Sequence, residues 1–350
     1  MATKINVAAL SLNTEEVQDV SQLVHERVFI QGELSDVHDV ITGVQHDQQA
    51  VFVDSLDMGG EAMSGCTPVE QGQLVLTEKV FTPKLIAGRF VHCANDLNQL
   101  LKLFRKAQRV NPDHFDRIAS QELAILMVKI SEAIKTSVHG KVWFGDTAAA
   151  VQPGGNFTIN GFNAGLWDQF NGLWQQIFGD AAIPRFTISE NAGVTYVAQA
   201  LAANKARTIF QTVYADADSR LIGSDDAQFI VTRAIYENYM ITLEEKQGNG
   251  GIITYLEDGT TSLSYRGIPI KVDYEMTRKI EEFQDDLTVH FRPHRCLLTV
   301  PSNIPFATLS EGDLTNLESW YEKKDKTNIV DYAYYLDAKH GESYLSSVAY

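Results

Sequence analysis

The longest continuous helix signal in the chain runs from Asn111 to Gly140, NPDHFDRIASQELAILMVKISEAIKTSVHG, and every other segment can be placed relative to it. Phe115, Ile118, Ala119, Leu123, Leu126, Met127, Ile130, Ala133, Ile134 and Val138 recur at steps of three and four, which gathers them on one apolar stripe of a 3.6-residue helix. Both ends carry boundary signals. Asn111 can cap free N–H groups, Pro112 suits the first helical position, and Gly140 suits the left-handed residue that closes a helix, with Lys135 and His139 beside the carbonyl ends. A rod of this kind is roughly 42 Å long. It is either an ordinary core helix or a backbone across which separate lobes are laid.

With 350 residues the chain can bury a sizeable core, and its length corresponds to about two domains. The formal charge of −16 argues against a nucleic-acid reader, because phosphate neutralisation needs a clustered Lys/Arg surface built against the chain's own field. Cys66, Cys93 and Cys296 are too few and too scattered for a disulfide scaffold. They are read as free buried thiols, the alternative being a single Cys66–Cys93 bridge. The first residues, MATKINVAALSLNTEEVQ, do not read as a signal peptide, and no window has the length and hydropathy of a membrane span.

Residues 1–26 read as an arm with at most one short helix near Glu15. From Val37 the runs VHDVITGV and QAVFVDSL, separated by QHDQ, predict a two-stranded hairpin, and DMGGEAMSG beyond them predicts an exposed loop or one completed by a partner. Leu74 to Ala94 has strand composition broken by Pro83 and Gly88. Asn95 then caps a helix with Leu97, Leu100, Leu101 and Phe104 on its apolar face. Beyond the rod, Pro and Gly mark a boundary near Gly154, and a mixed α/β lobe follows. Its predicted parts are a helix through Leu166, Phe170, Leu173, Trp174 and Ile177 ended by Gly179, a long helix from Val197 to Ala217, the strand AQFIVT, and a helix capped by Thr232 that runs to Gly248. Next come a hairpin turning at Asp258-Gly259, the strands GIPIKV and RCLLTV, and a helix between them from Glu275 to Leu287. The tail from Trp320 has six tyrosines and predicts ordered strand packed back near the rod.

The search for chemistry finds weak sites. His290, His294 and Cys296 are ligand types at close spacing, but Pro293 prevents a helix that would align both imidazoles. Ser64 lacks the glycine two places earlier that a nucleophile elbow needs. Gly248, Gly250 and Gly251 precede a strand, where phosphate binding wants a helix N-terminus. The pairs Asp225-Asp226, Glu244-Glu245, Glu281-Glu282 and Asp285-Asp286 read as solvated surface. Lys102, Arg105, Lys106 and Arg109 form a basic cluster that faces either packaged nucleic acid or the acidic remainder of the chain. No catalytic residue, cofactor or metal site is assigned. An arm, a protruding loop, a rod and a site-poor lobe describe a chain built for contact with its own copies.

This order of parts resembles the major capsid proteins of tailed bacteriophages, with the Hong Kong 97-type fold shared by encapsulin shells. The likeness is to capsid proteins of phages infecting Bacteroidetes, and it rests on FTPKLIAGRFVHCANDL, VTRAIYENYMITLEEK, LEDGTTSLSYRGIPI, PHRCLLTVPSNIPFAT and WYEKKDKTNIVDYAYYLDAKHG. The resemblance implies an α+β fold with an N-terminal arm (1–26), an extended β-hairpin loop (27–75), a peripheral domain with a spine helix (76–162, spine 111–140), an axial domain (163–310) and C-terminal strands returning to the periphery (311–350). It implies a non-enzymatic shell subunit in a virion, forming pentamers and hexamers with itself in the host cytoplasm. Partners would be scaffolding, portal and decoration or head-fibre proteins, with packaged double-stranded DNA touched non-specifically and no membrane. Met58, Gly59, Gly60 and Met63 would lie over a neighbouring subunit. No leading segment resembles an internal scaffold, which implies a separate scaffolding protein or prior removal, and no Lys/Asn pair is assigned to crosslinking. The alternatives are an encapsulin-like nanocompartment shell and a metal-dependent enzyme using His290 and His294.

Overall fold

The structure, a computed structural model, describes residues 37–44, 48–53, 76–93, 133–148, 164–245, 254–255, 261–285, 287–308, 318–322 and 327–350. Most of the predicted rod lies outside them, as do the helix after Asn95, the Lys102–Arg109 cluster, Cys66, and the loop residues Met58, Gly59, Gly60 and Met63.

Strand β1 (Val40–Ile41) runs parallel to Phe306–Ala307. Strands β2 (Gln48–Val53) and β3 (Leu76–Phe81) pair antiparallel in a register from Gln48↔Phe81 to Val53↔Leu76. The hairpin predicted between VHDVITGV and QAVFVDSL is therefore corrected: the first run joins a distant strand and the second pairs with β3. Alternating apolar patterns specify a face, not a partner, and here the partner is set by Val44, Phe81 and Ala307 burying one another.

After Pro83 comes β4 (Lys84–Cys93). The helix α1 occupies 133–144 among the described residues, so it passes through Gly140 instead of stopping there. Val142, Trp143 and Phe144 in its last turn are buried, and that burial outweighs the roughly 1 kcal/mol a mid-helix glycine costs. Gly140 instead admits the ring of Trp167, which would sit 3.2 Å from an added Cβ.

Helix α2 (Leu173–Gly179) is shorter than predicted, with residues around Leu166 in a single 3-10 turn. Strand β5 (Arg185–Phe186) precedes α3 (Lys205–Asp216), which begins eight residues later than the predicted Val197. Residues ahead of it are held otherwise: the Gln199 amide bonds the backbone of His290, and Asn204 is left-handed with φ 63°. Then follow α4 (Ser219–Ile222), β6 (Gln228–Val231) and α5 (Arg233–Glu245). Thr232 precedes α5, but its hydroxyl accepts from Arg295 N–H, while Arg233 N–H is capped by the Thr277 hydroxyl. Strands β7 (Thr254–Tyr255) and β8 (Thr261–Ser262) pair antiparallel on either side of Asp258-Gly259. Strands β9 (Ser264–Tyr265) and β10 (Ile268–Val272) lead to α6 (Tyr274–Phe283), whose N-cap is Asp273, accepting from Met276 N–H at 2.7 Å. The chain closes with β11 (Cys296–Thr299), β12 (Phe306–Ala307), β13 (Glu318–Glu322), β14 (Thr327–Ala338) and β15 (Ser346–Ala349).

Two larger sheets organise these parts. In the first, β14 is central: it pairs with β13, with β12, and over ten registered residues with β4. The second has the order β5-β15-β11-β6-β10-β9. The expectation that the whole tail returns to the strands before the rod is corrected by β15, which lies between β5 and β11 in the six-stranded sheet. Its four residues are buried, as are those of β6 and β11, as expected for strands covered on both faces.

The two faces of that sheet follow the period-2 alternation of its strands. Ile230, Leu297 and Val348 face a core with Val138, Val142, Trp143, Leu173, Trp174, Met276 and Ile280. Phe229, Val231, Cys296 and Leu298 face a second core with Ile209, Phe210, Val213 and Ile235. The first core also takes in Ile86, Tyr334 and Leu336 from the β4–β14 sheet, so the end of α1 packs on both sheets at once.

Candidate functional site

Where α1 meets the six-stranded sheet, the sequence supplies ionisable side chains to a buried place. His139 projects from α1 and its Nε2 lies 2.7 Å from Asp273 Oδ2 at the N-terminus of α6. Burial pushes the Asp273 carboxyl up, but the charge and hydrogen bond of His139, with the Met276 N–H, hold it below the usual carboxylate range. Nearby His38 is fully enclosed, 5.0 Å from the Trp143 ring, with its Nδ1 2.9 Å from the Ile304 carbonyl. Burial pushes its imidazole down to about 4, against the pull of that carbonyl. Beside these groups opens a cleft of about 780 Å³, with Lys135, Lys271 and Arg278 among its walls. These residues fasten segment 37–44, α1 and the β10–α6 corner into one junction. Sequence reasoning did not single out His38 or Asp273, because a lone His or Asp carries no periodic signal.

A buried guanidinium packs against α2. Arg295 is fully enclosed and its guanidinium stacks 5.1 Å from the Trp174 ring and 5.3 Å from that of Phe144. It donates to the Gln284 side chain and to the Phe291 and Arg292 carbonyls. Burial, then the charge of Arg292, pulls it down to about 9. The group serves as a clamp on the 291–295 turn.

The predicted ligand residues do not converge. His294 Nε2 meets the Gln199 carbonyl at 2.5 Å, His290 lies near Asp285 at 3.6 Å and tilts against the Tyr196 ring with centroids 4.7 Å apart, and Cys296 turns into the second core. Burial raises the Cys296 thiol far above its ordinary value, leaving it unreactive. Among the described residues no group of three or more His, Cys, Asp or Glu could hold a metal ion, and no helix is long and apolar enough to cross a membrane. The β2–β3 ribbon stands outside the two larger sheets. Among the described residues it pairs with no other strand, and a lone two-stranded ribbon is marginal in water. Phe81 anchors its base in the core while Val80 is exposed.

No protein-family model matches the sequence, and no curated protein matches it. Solved structures do match. A chain of Gordonia phage Cozz is similar to this one at a TM-score of 0.50 and 11% identity, over 90% of this chain and 85% of that chain. This chain has the Hong Kong 97-type capsid fold. A chain of the satellite phage P4 procapsid including size determination (Sid) protein also matches, at TM-score 0.49 and 10% identity over 96% of this chain and 98% of that one. So does the virus-like particle from Pyrococcus furiosus, at TM-score 0.44 and 10% identity over 96% and 98%.

Proposed function

We propose that the chain is the major capsid protein of a tailed phage, self-assembling into the icosahedral head shell around double-stranded DNA. The observation that carries this reading is a capsid fold spanning nine-tenths of the chain. On this reading residues 54–75, between the strands of the β2–β3 ribbon and including Met58, Gly59, Gly60 and Met63, lie over a neighbouring subunit. Glycines there suit a contact that differs slightly between pentamers and hexamers. Each contact is modest, and a closed shell holds every copy through several at once. Scaffolding, portal and decoration proteins are its partners in the host cytoplasm, and the mature product resides in the virion. The chain's acidity suits a wall that holds DNA weakly, so that packaging and ejection meet little drag.

Deleting residues 54–75 tests this reading. The shortened chain should keep its axial lobe folded and lose shell formation. Normal closed particles from that variant would contradict the role given to the ribbon.

A further inference from the structure

The cleft of about 780 Å³ between α1 and the β10–α6 corner has the start of the described chain in its wall. Val37 and His38 line it and are fixed there: the Val37 carbonyl accepts from Gln228 Nε2 at 2.9 Å, and Asp39 N–H donates to the Pro301 carbonyl at 3.2 Å. The chain before Val37 therefore departs from a fixed point on the cleft wall. Two ring nitrogens on that wall are unmet among the described residues. The Ile304 carbonyl can only accept, so neutral His38 carries its proton on Nδ1, and Nε2 is left as an acceptor without a donor. His139 gives its Nε2 proton to Asp273, and its Nδ1 is also without a partner. With His38 2% and His139 8% exposed, each carries the cost of a buried polar atom left unpaired. The walls hold Lys135, Lys271 and Arg278 against two carboxylates, both of them engaged: Asp273 by His139 and Met276 N–H, and Glu275 by Arg278 at 3.0 Å. The N-terminus of the ten-residue α6 opens at the same place and adds to the positive side.

We propose that residues 28–36 of the same chain, VFIQGELSD, which precede the described residues, occupy this cleft and strap the junction from within one subunit. The segment carries Glu33 and Asp36 and no cation, opposite in sign to the excess in the walls. Val28, Phe29, Ile30 and Leu34 supply apolar side chains to the part of the wall made by Val37, Ile230 and Val272. Its backbone brings an N–H at every position, the donor that the His38 and His139 nitrogens lack. Nine residues reach at most about 30 Å from Val37, so the segment has the cleft within range along its whole length. Attachment at the cleft wall also gives it a high effective concentration there, so modest contacts suffice, an advantage that a segment of another molecule does not share. The contact does not depend on the shell reading.

Amide hydrogen exchange of the dilute full chain, read by mass spectrometry, tests the strap without any variant. Exchange across residues 28–36 should be slower than in an unfolded chain by about tenfold or more, and exchange at the unfolded rate would overturn the proposal. Protection that grows with protein concentration would hand the cleft to a second copy, and a small molecule retained there in native mass spectrometry would hand it to a ligand; either overturns the strap. A Glu33→Lys/Asp36→Lys chain places the segment: its own protection and that of the cleft-wall peptides 135–143 and 271–278 should fall together, with the Glu33→Gln/Asp36→Asn chain between it and the parent. Protection of residues 28–36 that survives charge reversal, or falls while both wall peptides keep theirs, would put the segment elsewhere and overturn the proposal. A chain lacking residues 2–27 should keep the parental protection of both wall peptides, and loss of it would assign the cleft to the earlier arm instead.

Discussion

His139 on α1 and Asp273 at the head of α6 approach to 2.7 Å in a setting where both side chains are about nine-tenths enclosed. Asp273 has two tasks, since its other oxygen caps α6 through Met276 N–H. Replacing His139 by Ala leaves a buried carboxylate without its partner, at a cost of about 2–4 kcal/mol. Replacing Asp273 by Ala removes the cap as well. A double-mutant cycle read by urea unfolding should give a coupling of about 1–3 kcal/mol, and a coupling near zero would remove the pair from any account of lobe docking.

Acid should destabilise the fold at two buried imidazoles, His38 in this junction and His340 beside Ser346. His38 and His340 are both pushed by burial down to about 4. Their folded values lie below the unfolded value near 6.5, so the folded state binds fewer protons, and the stability they confer is present above that value and lost as the pH falls toward 4. At pH 5 the loss is about 2 kcal/mol for each. Asp273, held below its ordinary range, adds a loss in the same direction at lower pH. Thermal melts from pH 8 to 5 should show a falling Tm, and a His38→Gln/His340→Gln chain should show a flatter profile over that window.

Gly88 in β4 lies under the ring of Tyr332 in β14, its registered partner. A Cβ added at Gly88 would come within 2.2 Å of that ring. Gly88→Ala should therefore destabilise the chain by about 1–3 kcal/mol in chemical denaturation, and Tyr332→Ser should relieve most of that penalty in the double variant.

Because β15 lies inside the six-stranded sheet between β5 and β11, removing residues 346–350 should prevent folding, not merely trim an edge strand. The Asn303 side chain already ties this region, donating to the Glu342 carbonyl at 3.0 Å and accepting from the Glu342 N–H. A soluble truncated protein with an unchanged melting profile would contradict this placement.

What the sequence made legible, and what it hid, follows from the range of the interactions involved. Short apolar runs such as QFIV and CLLT became strands because each is bounded by breaks and buried on both faces, and IPIKV because its buried Ile268 and Ile270 flank an exposed Pro269 in strand alternation. Pairing partners were hidden, since Val40 alternates equally well beside Gln49 or Phe306, and only the joint burial of Val44, Phe81 and Ala307 decides. Gly140 was misread because a glycine can end a helix or admit a neighbour, and the neighbour, Trp167, is remote in sequence. Val197 to Asn204 has helical spacing, yet Gln199 bonds to the 290–294 turn prevail over that weak local preference. The junction of His38, His139 and Asp273 joins three segments far apart in the chain, so no local pattern could announce it.

Electron microscopy of the full chain expressed with its neighbouring gene products tests the central claim most directly. The account predicts closed shells, or rings of five and six copies, in which the β2–β3 ribbon of one subunit lies over the next. A compact monomer under every condition of concentration, salt and partner would contradict it.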